Sequence, residues 1–157
     1  MSADTSRDTS SGQILVVTRN AIAEAMVTIA EVAGCTVVVL DADDPHGAPL
    51  DRIRASPPTA FDAVILADHD APDTDTILRE TLAGTAGYVA MMASRSRSQN
   101  LLATLRAEGL GEDVLERLRV PAGLDTGGQS PGEIALSVVA QVVAWSHGRT
   151  GGPMRRS

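Results

Sequence analysis

The sequence of 157 residues contains no lysine: all 13 of its basic residues are arginine. Aromatic residues are nearly absent too, with one Trp, one Tyr and one Phe. A core made from this chain must therefore be filled by Ala, Val, Leu and Ile, a bias that suits buried parallel strands covered by helices. Cys35 is the sole cysteine, which excludes an intramolecular disulfide framework and a cysteine-based metal cluster. Basic surface is scarce as well. The formal net charge of −7 leaves no electrostatic footprint for nucleic acid. The longest uncharged apolar stretch, "IALSVVAQVVAWS", falls short of the roughly 20 residues that a membrane helix needs. Residues 1–12 are polar and carry Asp and Arg, unlike a secretory signal, so the expectation is a soluble cytoplasmic protein.

Composition divides the chain into three parts. Residues 1–12, "MSADTSRDTSSG", and 148–157, "GRTGGPMRRS", read as tails around a single domain over 13–147. Within that domain, apolar runs alternate with helical periodicity. Ile14–Thr18 reads as a buried strand and Ala21–Val32 as a helix that Gly34 ends. "TVVVLD" (36–41) is the second strand, "DADDPHGAP" a loop, and Ser56-Pro57-Pro58 a break. "FDAVILAD" (61–68) is the third strand, with a helix over Thr74–Ala83, and "GYVAMMA" (87–93) is the fourth. Helices are expected at Gln99–Glu108 and Glu112–Arg119, then a short strand or extended segment at "VPAGLD" (120–125). Ser130-Pro131-Gly132-Glu133 supplies an N-cap serine, a first-turn proline and a glutamate at the third helical position, the pattern of a capping box. This alternation predicts an α/β, three-layer Rossmann-like domain with a mostly parallel sheet.

Ligands of such sheets bind beyond the carboxyl ends of the strands. Asp41 closes the second strand about 20 residues after the first turn, where a dinucleotide domain places the acid that bonds a ribose hydroxyl. An aspartate that simply forms the turn is the competing reading. Asp43 and Asp44 add negative charge that disfavours a 2′-phosphate. "DHD" brings Asp68, His69 and Asp70 to the end of the third strand, for proton transfer, metal contact, hydrogen bonding to a polar ligand or loop capping. If the strand persisted, Asp68 and Asp70 would share one side and His69 would point to the other. Ser94, Arg95 and Arg97 in "SRSRS" precede a helix and suit a phosphate or plain capping equally. "GLDTGG" lets backbone approach a ligand or forms an ordinary tight turn. Cys35 reads as structural, and His147 sits near a helix C-terminus. Trp145 shares a helical face with Ile134, Val138 and Val142, for core or dimer packing. Nothing in the pattern assigns a catalytic or metal-ligating residue.

In order along the chain, these segments resemble the C-terminal Rossmann domain of the XdhC/CoxF family, accessory proteins of xanthine dehydrogenase, carbon monoxide dehydrogenase and related molybdenum hydroxylases. The stretch 88–149 is similar to the family pattern Y-[IV]-G-x-[ML]-G-S-R-R-K followed by A-P-I-G-L-D-I-G-A-x-[TS]-P-x-E-I-A-x-S-I-x-A-E-I. Tyr88, Met92, Ser94, Arg95, Gly123, Leu124, Asp125, Gly127, Pro131, Glu133, Ile134 and Ala135 match it. His69, Asp70 and Asp73 match a T-H-D-x-x-x-D segment. The departures cluster at the ligand edge. The family's first turn, G-A-G-H-V-A, is replaced by Thr18-Arg19-Asn20-Ala21-Ile22-Ala23, so both leading glycines and the histidine are gone. D-x-R becomes Asp41-Ala42-Asp43, two glycines around the fourth strand become Ala90 and Ala93, and the glutamate of the last helix becomes Gln141. The family's N-terminal domain has no counterpart in this sequence.

The resemblance implies an accessory protein that assists maturation or insertion of the molybdenum cofactor, partnered by a molybdenum hydroxylase or a maturation protein, as a homodimer. It implies Asp41, His69, Asp70, Ser94, Arg95 and Asp125 as the residues facing a cofactor, either the molybdenum-bearing pterin or NAD(P). Side chains at 18 and 20 stand where a pyrophosphate would approach the backbone, which counts against the dinucleotide. Two other readings stay open: a nucleotide-binding oxidoreductase-like domain, and a non-catalytic interaction domain built on Trp145.

Overall fold

The computed structural model describes residues 12–156; the expected N-terminal tail, apart from Gly12, lies outside the described residues. Five strands form one parallel sheet in the order β2-β1-β3-β4-β5. They are β1 (Ile14–Val17), β2 (Val37–Leu40), β3 (Ala63–Leu66), β4 (Tyr88–Met91) and β5 (Leu118–Arg119). The helices are α1 (Ala21–Val32), α2 (Pro49–Ala55), α3 (Thr74–Ala83), α4 (Arg95–Ala107), α5 (Glu112–Leu115) and α6 (Pro131–Ser146). The expected Rossmann-like α/β layering is present, and every strand pair is parallel.

The three central strands are apolar at every position because both sheet faces are covered. Alternate residues feed two cores. Leu15, Val17, Val64, Leu66, Val89 and Met91 meet Ile53 of α2, Ile77, Leu78 and Leu82 of α3, and Leu105 of α4. Ile14, Val16, Ala63, Ile65, Tyr88 and Ala90 face Ala23, Met26 and Ala30 of α1 and Ala135, Val138 and Val142 of α6. The second core is rich in alanine, with the ring of Tyr88 fully buried in it. Tyr88 and Trp145 pack at one end of it with their rings tilted by 49° and their centroids 5.6 Å apart.

Several boundaries differ from the sequence reading. The stretch after the 41–49 loop carries α2, with Pro49 in its first turn. α4 begins at Arg95, not Gln99, because Ser94 caps it: the serine hydroxyl accepts from the Arg97 amide at 3.1 Å. The helix expected over 112–119 stops at Leu115, and Leu118–Arg119 pairs with Val89 and Ala90 as the edge strand. The last strand is thus two residues upstream of "VPAGLD", which is an irregular loop. Two residues of edge pairing leave no period-2 signal to read. The capping box of α6 forms as expected. The Ser130 hydroxyl accepts from Glu133 N at 3.2 Å, and Glu133 Oε1 accepts from Ser130 N at 3.2 Å. Ser130, through its hydroxyl and then its amide, holds the Glu133 carboxyl below the ordinary carboxylate range.

The loop 120–130 is pinned across the carboxyl end of β4. Ala122 N donates to Met91 O at 3.1 Å and Leu124 N to Ser137 O at 3.2 Å. Gly123 has φ 98°, and a Cβ there would stand 2.4 Å from Ser137 Oγ, so glycine is required by both conformation and space. Gln141 Oε1 accepts from Gly123 N at 3.1 Å and also from the buried Tyr88 hydroxyl. Gln141→Leu removes both partnerships and should cost about 1–3 kcal/mol in chemical denaturation. The Gly123 amide should then exchange faster in hydrogen-exchange mass spectrometry. At the opposite edge, a Cβ on Gly87 would meet Ala60 O at 2.1 Å and Trp145 Cζ2 at 2.4 Å. Gly87→Ala is accordingly expected to destabilise by about 1–3 kcal/mol in the same assay.

Candidate functional site

The chain leaves β1 toward β2 on one side and reaches β3 on the other, so the strand order reverses between β1 and β3. In open α/β sheets that reversal opens a crevice at the carboxyl ends of the two strands. Here the crevice is bordered by Thr18, Arg19 and Asn20 after β1 and by Ala67 to Asp70 after β3.

Thr18 has φ 82°, in the left-handed region that glycine occupies freely and a β-branched residue rarely adopts. Asn20 is the N-cap of α1, and its side chain works in two directions. Its Oδ1 accepts from Ala23 N at 2.9 Å, while its Nδ2 donates to Ala67 O at 3.0 Å on the far side of the crevice. Arg19 lies over the same turn. Its Nε is 3.3 Å from Asp41 Oδ2, and its Nη1 pairs with Glu24, whose hydrogen bond raises the guanidinium pKa further. Asp41 is thus at the end of β2 as expected, but it faces arginine.

The 68–70 segment leaves the strand geometry at Leu66, so the expected alternation of side chains does not hold. His69 and Asp70 come together instead, with Nε2 3.2 Å from Asp70 Oδ2. The other ring nitrogen, Nδ1, lies 2.9 Å from Met92 O, so each ring nitrogen faces an oxygen acceptor. Asp70 Oδ1 in turn accepts from Arg97 Nη1 at 3.0 Å. Asp68 closes the turn by accepting from Asp70 N at 2.9 Å. This network links the ends of β3 and β4 to the first turn of α4.

Ser94, Arg95 and Asp125 belong to a third place. They line a groove of about 770 Å³ between the start of α4 and the 120–130 loop, together with Gln99, Gly127 and Gly128. Arg95 Nη2 and Asp125 Oδ2 stand 3.9 Å apart across its mouth, with side chains 85% and 87% exposed. A pair so exposed contributes little to stability, which leaves both groups available to a ligand.

The six sequence-derived residues therefore divide between three neighbourhoods along one sheet edge. Asp41 joins the β1–α1 turn, His69 and Asp70 join Arg97, and Ser94, Arg95 and Asp125 share the groove. Two participants carried no site assignment in the sequence, Asn20 and Gln141, and Arg97 was read toward a phosphate, not toward Asp70. Asn20 had a readable signal, since asparagine before a helical period is a strong N-cap. Its bond to Ala67 joins residues 47 apart and has none. Among the described residues no helix is long and apolar enough to cross a membrane.

Comparison with known proteins agrees with this architecture. Residues 14–142 match the family model described as the XdhC Rossmann domain. The chain is 29% identical over 99 residues to Uncharacterized protein YqeB of Escherichia coli (strain K12), covering 63% of this chain and 18% of that protein. It is 29% identical over 82 residues to a Bacillus subtilis (strain 168) protein named as a probable xanthine dehydrogenase subunit, covering 52% of this chain and 23% of that protein. A crystal structure described as a xanthine dehydrogenase from Bacillus halodurans superposes with TM-score 0.72 at 24% identity, over 88% of this chain and 44% of that one. That likeness concerns the fold, and the chain spans less than half of each of these proteins. With the match extending from the first strand into the last helix, the chain belongs to the XdhC Rossmann-domain family.

Proposed function

We propose that this protein is an accessory factor that assists maturation or insertion of the molybdenum cofactor into a molybdenum hydroxylase of the xanthine or carbon monoxide dehydrogenase type. It acts in the cytoplasm as a homodimer, by binding the enzyme or a maturation protein rather than by turning over a substrate. Family membership and the relative named for xanthine dehydrogenase support the partner class.

The observation that carries this reading is the groove between α4 and the 120–130 loop. The cofactor would be its cargo, a pterin bearing an anionic phosphate. The lining matches such a molecule in kind: Ser94 and Gln99 offer hydrogen bonds, Arg95 offers an exposed cation, and Gly127 and Gly128 admit backbone approach. His69 and Asp70 support the groove from the side. Their polar atoms are engaged by Met92, Arg97 and each other, an arrangement that positions the start of α4.

The test is purification of the tagged protein from cells that make a molybdenum hydroxylase, together with deletion of its gene. The enzyme or a maturation protein should co-purify, and deletion should lower the molybdenum content and activity of the enzyme. Arg95→Glu should weaken both effects while leaving the melting temperature unchanged, because the side chain is exposed. Recovery of neither partner, with full enzyme activity in the deletion strain, would contradict the proposal.

A further inference from the structure

The fold family implies a dinucleotide at the crevice between β1 and β3, and the residues present do not fit one. A dinucleotide would need three things from this edge: amide donors at the start of α1, backbone free of side chains in the first turn, and an acid at the end of β2. The chain's own side chains meet each of them. Asn20 Oδ1 takes the Ala23 amide at 2.9 Å, a donor that a phosphate oxygen would otherwise engage. Asn20 Nδ2 reaches across to Ala67 O at 3.0 Å and fills the gap between the strands. Arg19 Nε lies on Asp41 Oδ2 at 3.3 Å, where a ribose hydroxyl would sit.

We infer that Arg19 and Asn20 form an internal replacement for the ligand, so that this domain holds its crevice closed with its own side chains and works without a nucleotide. Thr18 carries the mark of the exchange. Its φ of 82° keeps the backbone path of a glycine turn although the residue is no longer glycine. Asn20 serves the purpose better than serine or aspartate. Its carboxamide both accepts and donates, whereas an ionised aspartate only accepts and a serine hydroxyl is too short to span from the helix cap to β3. Arg19 completes the closure by pairing with both Asp41 and Glu24.

Calorimetric titration of the full chain with NAD and with AMP, each to millimolar concentration, tests the inference alongside thermal melts of turn variants. The unaltered protein should give no binding heat and no thermal shift with either nucleotide. Asn20→Gly should lower the melting temperature by roughly 3–8 °C, and Asn20→Ser, which caps α1 but does not reach Ala67, should fall between the two. If Asn20→Gly does not fold, the serine variant carries the test. Submillimolar binding of NAD or AMP by the unaltered protein would overturn the inference, as would an unchanged melting temperature in Asn20→Ser. Failure of the accessory role would leave these outcomes untouched, because neither readout involves a partner enzyme.

Discussion

The two strands at the centre of this sheet part company at their carboxyl ends, and a single carboxamide spans the gap. β1 and β3 are paired along their whole length, but beyond Val17 and Leu66 the chain turns toward opposite faces. That divergence exposes a helix-start amide on one side and a strand-end carbonyl on the other. Water satisfies such groups in an open crevice, as does a ligand. In this protein Asn20 satisfies both. That bond pair ties the start of α1 to the end of β3, while Ala23, Met26 and Ala30 seat the helix on the second core beside α6. The rest of the carboxyl edge is arranged around a crevice that is already full.

A filled crevice shifts the useful surface along the sheet. Beyond β4 the chain offers a groove whose two walls are fixed independently. Ser94 and the His69–Asp70–Arg97 network set the start of α4. Gln141, through Gly123, sets the facing loop from the middle of α6. Gln141 performs with a neutral oxygen what an ionised glutamate would perform with a charge. Its partner Tyr88 is buried, and burial drives the phenol pKa upward against the pull of Arg119, so the hydroxyl stays a donor. The pairing holds the loop without placing an uncompensated charge beneath it. Arg95 and Asp125 at the mouth remain solvated.

Much of this was legible in the sequence because it rests on local chemistry. The alternation of Val, Ile and Ala runs with helical periods located β1, β3, β4, α1 and α3. Ser130-Pro131-Gly132-Glu133 located the start of α6 to the residue, since a capping box is written within four positions. The elements that escaped are short and depend on tertiary partners. α2 spans seven residues with Ile53 as its one buried side chain, and β5 exists because β4 offers Val89 and Ala90 to pair with. The site followed the same division. The loss of glycine at positions 18 and 20 was visible as obstruction. That Asn20 converts the obstruction into a bridge depends on Ala67, a contact no local pattern encodes.

The most direct measurement of the closed crevice is the side-chain amide of Asn20 in a nitrogen–proton correlation spectrum of the labelled protein. A hydrogen bond from Nδ2 to the Ala67 carbonyl predicts a downfield-shifted NH₂ proton in slow exchange with solvent, unmoved by saturating NAD. A solvent-exchanging Asn20 amide at random-coil position, or one displaced on titration with NAD, would contradict a crevice that the protein fills for itself.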